Sequence, residues 1–165
     1  ILEIKVLESS SLKTNYSSVD LKQITEQVIG ALKIQSDNKN IKITTDLDEV
    51  VASLDRSLMI QIIDNLLSNA IKFSNPNTVV HITLKEENQT IRLEIDDDGP
   101  GIKEEDKAQL FKKFRKLSAR PTEGESSTGL GLSIVKKYVE AMRGKVWCES
   151  EFGQGARFIV EFKKN

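Results

Sequence analysis

Residues 79–101 read VVHITLKEENQTIRLEIDDDGPG. The spacing predicts two strands, Val79 to Glu86 and Thr90 to Asp98, turned back on each other at Glu87-Asn88-Gln89. In the second strand Ile91, Leu93, Ile95 and Asp97 share one face, while Arg92, Glu94 and Asp96 share the other. Asp97 therefore continues an apolar, core-facing row, where a carboxylate is costly unless donors meet it. Gly99 and Gly101 follow at once and let backbone approach a ligand closely. A solvated acidic loop is the plain alternative. The three adjacent Asp do not make a calcium loop, because the alternating ligands and terminal Glu of an EF-hand are missing.

On the N-terminal side of this hairpin stands the strongest helical pattern in the chain. Leu58, Met59, Ile62, Ile63, Leu66, Leu67, Ala70 and Ile71 recur in pairs at helical spacing over 56–74, and Asn75-Pro76-Asn77 ends the run. Earlier still, Asp20 is a plausible N-cap for Leu21, Ile24, Val28, Ile29 and Leu32, a pattern broken at Asp37-Asn38-Lys39-Asn40. Ile41, Ile43 and Thr45 alternate with polar neighbours, and Val50 to Leu54 forms a second β-like run. The broken helical pattern from Ile1 to Leu12 reads as the tail of a helix in a longer protein. Beyond the hairpin come a short helix around Glu104 to Phe114 and a Ser/Thr/Gly/Glu-rich tract from Ser118 to Thr128. A long helix follows from about Gly131 to Met142, ending near Gly144. Strands Lys145 to Glu151 and Ala156 to Lys163, joined at Phe152-Gly153-Gln154-Gly155, close the chain. Long helices between mostly hairpin-linked strands predict an α+β two-layer sandwich, one sheet with helices on one face.

Composition narrows the function. The 165 residues carry 38% hydrophobic and 30% charged side chains, ordinary for one globular domain. With 24 basic and 25 acidic residues the net charge is -1, so no bulk field draws the chain to nucleic acid or to an acidic membrane surface. No apolar run approaches the roughly 20 residues of a membrane span. One cysteine, Cys148, and one histidine, His81, exclude a disulfide framework and multi-histidine or cysteine-rich metal sites within the chain. His81 lies in a strand pattern and reads as an ordinary strand side chain, as Trp147 and Cys148 read as packing residues.

Two further features belong with Asp97. Gln61, Asn65, Asn69 and Lys72 are spaced by four, four and three residues, so they form one polar stripe on the helix. Two amides and an ammonium on one cleft suit a metal ion and phosphate oxygens, although a solvated helix face has the same pattern. Phe73 adjoins the stripe with a flat apolar ring. The run Thr128-Gly129-Leu130-Gly131-Leu132 opens the long helix, where glycines free backbone N–H groups to meet an anion. It matches neither a Walker loop, which ends Gly-Lys-Ser/Thr, nor a Rossmann turn, which follows a strand.

In combination these segments resemble the sensor histidine kinases. Asn65-Leu66-Leu67-Ser68-Asn69-Ala70-Ile71-Lys72-Phe73-Ser74 is similar to their N box, and Asp97-Asp98-Gly99-Pro100-Gly101-Ile102 to their first glycine box. Leu110-Phe111-Lys112-Lys113-Phe114 resembles the F box, and Thr128-Gly129-Leu130-Gly131-Leu132-Ser133-Ile134-Val135-Lys136 the second glycine box. Phe152 to Phe158 resembles the closing strand turn. The motifs stand in the family's order from about Val19 onward.

The resemblance implies a Bergerat-type fold, a mixed, mostly antiparallel sheet with helices on one face. It divides the chain into 1–18, the tail of an upstream dimerisation and phosphoacceptor hairpin with its linker, and 19–165, an ATP-binding catalytic domain. The ATP lid falls at about 103–128. By the same resemblance Asp97 accepts the adenine amino hydrogen, Asn69 is a Mg2+ ligand, Asn65 lies near the γ-phosphate, Lys72 contacts phosphate and Phe73 packs on adenine. Asn65 and Lys72 are the implied catalytic pair. Gly99, Gly101, Ile102, Thr128, Gly129, Leu130, Gly131 and Leu132 are the implied backbone and motif contacts, with Lys116 reaching the triphosphate from the lid. Ser126 and Ser127 stand where glycines are common, Arg115 where an aromatic is frequent, and Ala156 in place of a Thr. The implied activity is transfer of the ATP γ-phosphoryl to a histidine on the separate hairpin, by a cytoplasmic domain of a homodimeric parent whose membrane attachment is left open. A response regulator's receiver domain is the implied downstream partner. Two other readings are a non-catalytic nucleotide-sensing or partner-docking module, and a gyrase- or chaperone-like ATPase. The last is disfavoured, because those relatives carry a Glu base where Asn65 stands, and an amide takes no proton near neutral pH.

Overall fold

The computed structural model describes residues 12–112 and 131–164. Five strands form one sheet in the order β2 (Lys42–Leu47), β4 (Val79–Glu87), β5 (Thr90–Asp97), β7 (Ala156–Lys163), β6 (Lys145–Ser150). β2 and β4 are parallel and every other pair is antiparallel. This is the expected mixed, mostly antiparallel sheet. A separate two-stranded ribbon pairs β1 (Tyr16–Asp20) with β3 (Val51–Asp55).

Register sorts the sheet into two chemistries. Ile82, Ile95, Phe158 and Cys148 form one transverse row, and Leu84, Leu93, Val160 and Val146 the next, all on the helix-covered face. Asp97, Ala156 and Ser150 continue that face at one end of the sheet. The opposite face carries His81, Asp96, Arg157 and Glu149 in one row and Lys85, Arg92, Glu161 and Lys145 in another. Ion pairs join Arg157 to Asp96 (2.6 Å) and Arg92 to Glu161 (2.8 Å), and Arg92 stacks 5.4 Å from the Trp147 ring.

Helix α1 (Leu21–Ala31) begins at Asp20, whose carboxylate accepts the Gln23 N–H at 3.0 Å. Helix α3 (Arg56–Phe73) is central, packing against α1, β5 and α5 (Gly131–Ala141) through fully buried Ile62, Ile63, Leu66 and Leu67. Its N-cap, Asp55, accepts from Leu58 N at 3.1 Å.

Local bounds differ in part from those the sequence suggests. The helical run divides at Leu32 into α1 and a short α2 (Lys33–Asn38), which ends inside the break expected at Asp37-Asn38-Lys39-Asn40. Within the described part of the helix expected around Glu104 to Phe114, up to Lys112, only a single turn, α4 (Glu104–Lys107), is helical, followed by turns to Phe111. The long helix α5 ends near Gly144 as expected, and the left-handed residue there is Arg143 (φ 62°). Gly144 is required for another reason: a Cβ there would meet the Phe162 ring at 2.5 Å. The Ile1–Leu12 helical pattern falls almost wholly outside the described residues, and Tyr16–Ser18 pair with Ser53–Asp55 in the β ribbon.

Candidate functional site

At the end of the inner sheet face a cleft of about 400 Å³, counted to its open mouth, separates β5 and β7 from α3 and α5. Asn69, Phe73, Asp97, Gly101, Ile102 and Leu132 line it, all singled out by the sequence, joined by Pro100, Ala156 and Phe158. Most of its wall is apolar, which suits a ligand with an apolar ring.

Asp97 is the polar exception. Only 9% exposed, it holds its place because Oδ1 accepts from Gly99 N (2.9 Å) and Ala156 N (3.3 Å). Burial pushes its carboxyl up to about 6, against the pull of those two N–H groups, with Asp98 and Asp96 adding a smaller upward push. A buried carboxylate in this state is a strong acceptor for a ligand amino group.

The loop that follows is locked from both sides. A Cβ on Gly99 would come within 2.5 Å of the Phe73 carbonyl oxygen, so only glycine allows β5 and the end of α3 to meet. Gly101 is left-handed (φ 78°), and a Cβ there would strike the Glu151 carbonyl oxygen at 2.4 Å. Ser150 completes the lock: its Oγ accepts from Ile102 N at 2.9 Å and donates to the Gly155 carbonyl at 2.6 Å. Gly153 N donates to the Pro100 carbonyl at 2.6 Å.

The amides of α3 face the start of α5. Measured from the Cβ position of Gly131, Asn65 Oδ1 and Asn69 Nδ2 are both 3.8 Å away. A side chain there would fill the gap between the two amides and the first described turn of α5. Lys72 stands in the last turn of α3, and its charge partly offsets the burial that raises the Asp64 carboxyl. Phe111 meets Phe158 edge-on at 6.4 Å, so the first F-box aromatic abuts the cleft wall.

Asn65, Asn69, Phe73, Asp97, Gly99, Gly101, Ile102, Gly131 and Leu132 thus gather around one cleft or its rim, and Lys72 stands next to Phe73 in the last turn of α3. Lys116, Thr128, Gly129 and Leu130, with Phe114, Arg115, Ser126 and Ser127, lie outside the described residues. Among the residues missed at sequence level, Phe158 had a signal in the alternation of β7, whereas nothing local marks Ser150. His81 sits on the opposite face of the sheet, hydrogen-bonded through Nδ1 to Thr44 Oγ1.

Comparison with known proteins agrees with this geometry. Residues 54–165 match the family described as histidine kinase-, DNA gyrase B- and HSP90-like ATPase. The heme sensor protein HssS of Staphylococcus saprophyticus is 33% identical over 146 residues, covering 88% of this chain and 31% of that protein. Among solved structures, full-length ShkA in complex with AMPPNP superposes with a TM-score of 0.84 at 28% identity, covering 99% of this chain and 35% of that one. Histidine kinase ThkA in complex with the response regulator protein TrrA gives 0.76 at 26%, covering 91% and 42%. The chain spans about a third of HssS. It belongs to the histidine kinase-, DNA gyrase B- and HSP90-like ATPase family.

Proposed function

We propose that the cleft takes ATP with Mg2+ and that the domain passes the γ-phosphoryl to a histidine on a separate helical hairpin. The observation that carries the reading is Asp97, a buried carboxylate with Oδ1 committed to backbone donors inside an apolar cleft. Its free acceptor capacity suits the adenine amino group, with Phe73, Ile102 and Leu132 against the base. Asn69, with a neutral amide oxygen, is the residue to hold Mg2+, which keeps several waters and takes its other ligands from phosphates. The ion supplies charge neutralisation on the triphosphate. Asn65 and the backbone from Gly131 face the same space, and Lys72 adds a point charge, so the chain's own part is positioning and electrostatics.

Transfer is favoured over hydrolysis by Asn65, which offers no base for water. The upstream hairpin, a homodimeric parent, a receiver domain as the next acceptor and a lid over about 103–128 complete the proposal. Similarity to a kinase solved with its response regulator supports the receiver partner. No helix among the described residues is long and apolar enough to cross a membrane, and a cytoplasmic placement of this domain fits an intracellular ATP supply.

The test is incubation with γ-labelled ATP and Mg2+, with and without a separate hairpin bearing an acceptor histidine. Acid-labile label on the hairpin, and none on this chain alone, is expected. Transfer in trans should be slow, because the tether and its effective concentration are lost. Tight ATP binding with an unlabelled hairpin would favour a nucleotide-sensing module instead. Label on this chain alone, abolished by His81→Gln, would overturn the division of labour.

A further inference from the structure

Lys39 lies in the turn between α2 and β2, some thirty residues before the cleft's helix end, yet its side chain is buried, only 5% exposed. Its Nζ donates to the carbonyl oxygens of Ile71 and Lys72, at 2.9 Å each. These belong to the last four carbonyls of α3, which have no partners within the helix itself. The neighbouring carbonyls are satisfied or occupied differently. Ala70 O accepts from Ser74 N at 3.0 Å, and Phe73 O presses against Gly99. The ammonium therefore caps the negative end of an 18-residue helix.

The turn that carries Lys39 is fastened to the turn after α3. Asn77 N donates to the Lys39 carbonyl at 3.0 Å, and Asn40 Nδ2 to Asn77 Oδ1 at 2.7 Å. Asn40 and Asn77 are both left-handed, with φ of 53° and 65°. The parallel pairing of β2 with β4 brings the two turns side by side, through Lys42 N to the Thr78 carbonyl. Closing a helix needs only a glycine or a polar side chain, whereas burying an ammonium is costly. What this cation holds is the one turn that brings Phe73 to the cleft and carries Lys72, with Asn69 of the cleft wall one turn earlier.

We propose that Lys39 is a positioning residue for the nucleotide site, fixing the last turn of α3 so that Phe73 and Lys72 meet the ligand. The proposal rests on the ATP reading of the cleft. Calorimetry with ATP on wild type, Lys39→Met, Lys39→Gln and a core control, Val28→Ala on α1, separates positioning from plain destabilisation. Lys39→Met is expected to weaken ATP binding roughly tenfold. Lys39→Gln, which keeps an N–H donor, should lose about a third as much on the same basis. Val28→Ala should lower the melting temperature and leave ATP affinity unchanged. Unchanged affinity in Lys39→Met, or an equal loss in Val28→Ala, would overturn the proposal. If neither Lys39 variant folds, wild type decides: coupling is reciprocal, so ATP should slow exchange of the Lys39 ammonium protons seen by 15N NMR. Unaltered exchange would overturn it. Failure of wild type to bind ATP would overturn the cleft's reading as well, whereas binding by wild type with an unaffected Lys39→Met overturns this inference alone.

Discussion

Asp97 combines a cost to the empty fold with a use for the filled site. Its carboxyl sits at about 6 in the folded chain against 3.8 when solvated, because burial penalises the charge. Between those values the folded state carries a proton that the unfolded state has released. Stability therefore falls as pH rises from about 4 to about 6 and is level above, a loss of about 3 kcal/mol from this group. Asp97→Asn removes the ionisation while keeping Oδ1 for Gly99 and Ala156. At pH 7 it should be more stable than wild type to urea by up to about 3 kcal/mol, and the advantage should vanish below about pH 4. The same variant should bind ATP at least tenfold more weakly, about 1.4 kcal/mol, since an amide donor now faces the adenine amino group. Wild-type affinity should likewise fall as pH drops through about 6. Unchanged ATP affinity in Asp97→Asn would remove the assignment. Strand parity alone placed this side chain inward; of the donors that meet it, Gly99 N is only two residues on, whereas Ala156 N, from 59 residues away, had no local trace.

Helix α3 shows why some elements are plain in the sequence and others are not. Its apolar pairs recur over about four turns and its N-cap is an Asp, so period and cap agree. The Asp55 carboxylate does more than cap: Oδ2 also accepts from Asn15 N at 2.8 Å, tying the N-terminal segment down. Asp55→Ala should cost roughly 2 kcal/mol in urea unfolding, the upper end for a cap. A loss below about 0.5 kcal/mol would mean that water replaces both bonds. By contrast, α2 buries only Ser36 and leaves Ile34 76% exposed, so it has no amphipathic period to read. In β1 only Val19 is buried. That segment is extended because β3 offers it a pairing edge. The β4–β5 turn was legible, and Asn88 and Gln89 are both left-handed there, as a two-residue hairpin turn demands.

For the molecule as a domain, the cleft joins parts from four separate elements, so a ligand that fills it should stabilise the whole. ATP with Mg2+ at a hundredfold excess over its dissociation constant should add about 2.7 kcal/mol to unfolding, seen as a raised melting temperature. Asn69→Ala should keep the shift produced by ATP alone and lose the increment added by Mg2+. An equal loss with and without Mg2+ would place Asn69 away from the metal. Along the chain, local chemistry was enough to mark α3, the hairpin, the glycine turns and the order of the motifs. Side-chain period and glycine's conformational freedom are properties of a few adjacent residues. The packed molecule alone brings Ala156 and Phe158 to the cleft, Ser150 to the loop that borders it and Lys39 to the end of α3. Those contacts follow from the strand order β2-β4-β5-β7-β6 and the single parallel pair. Such an order is settled by which apolar faces can be buried together, and no short stretch of sequence carries that information.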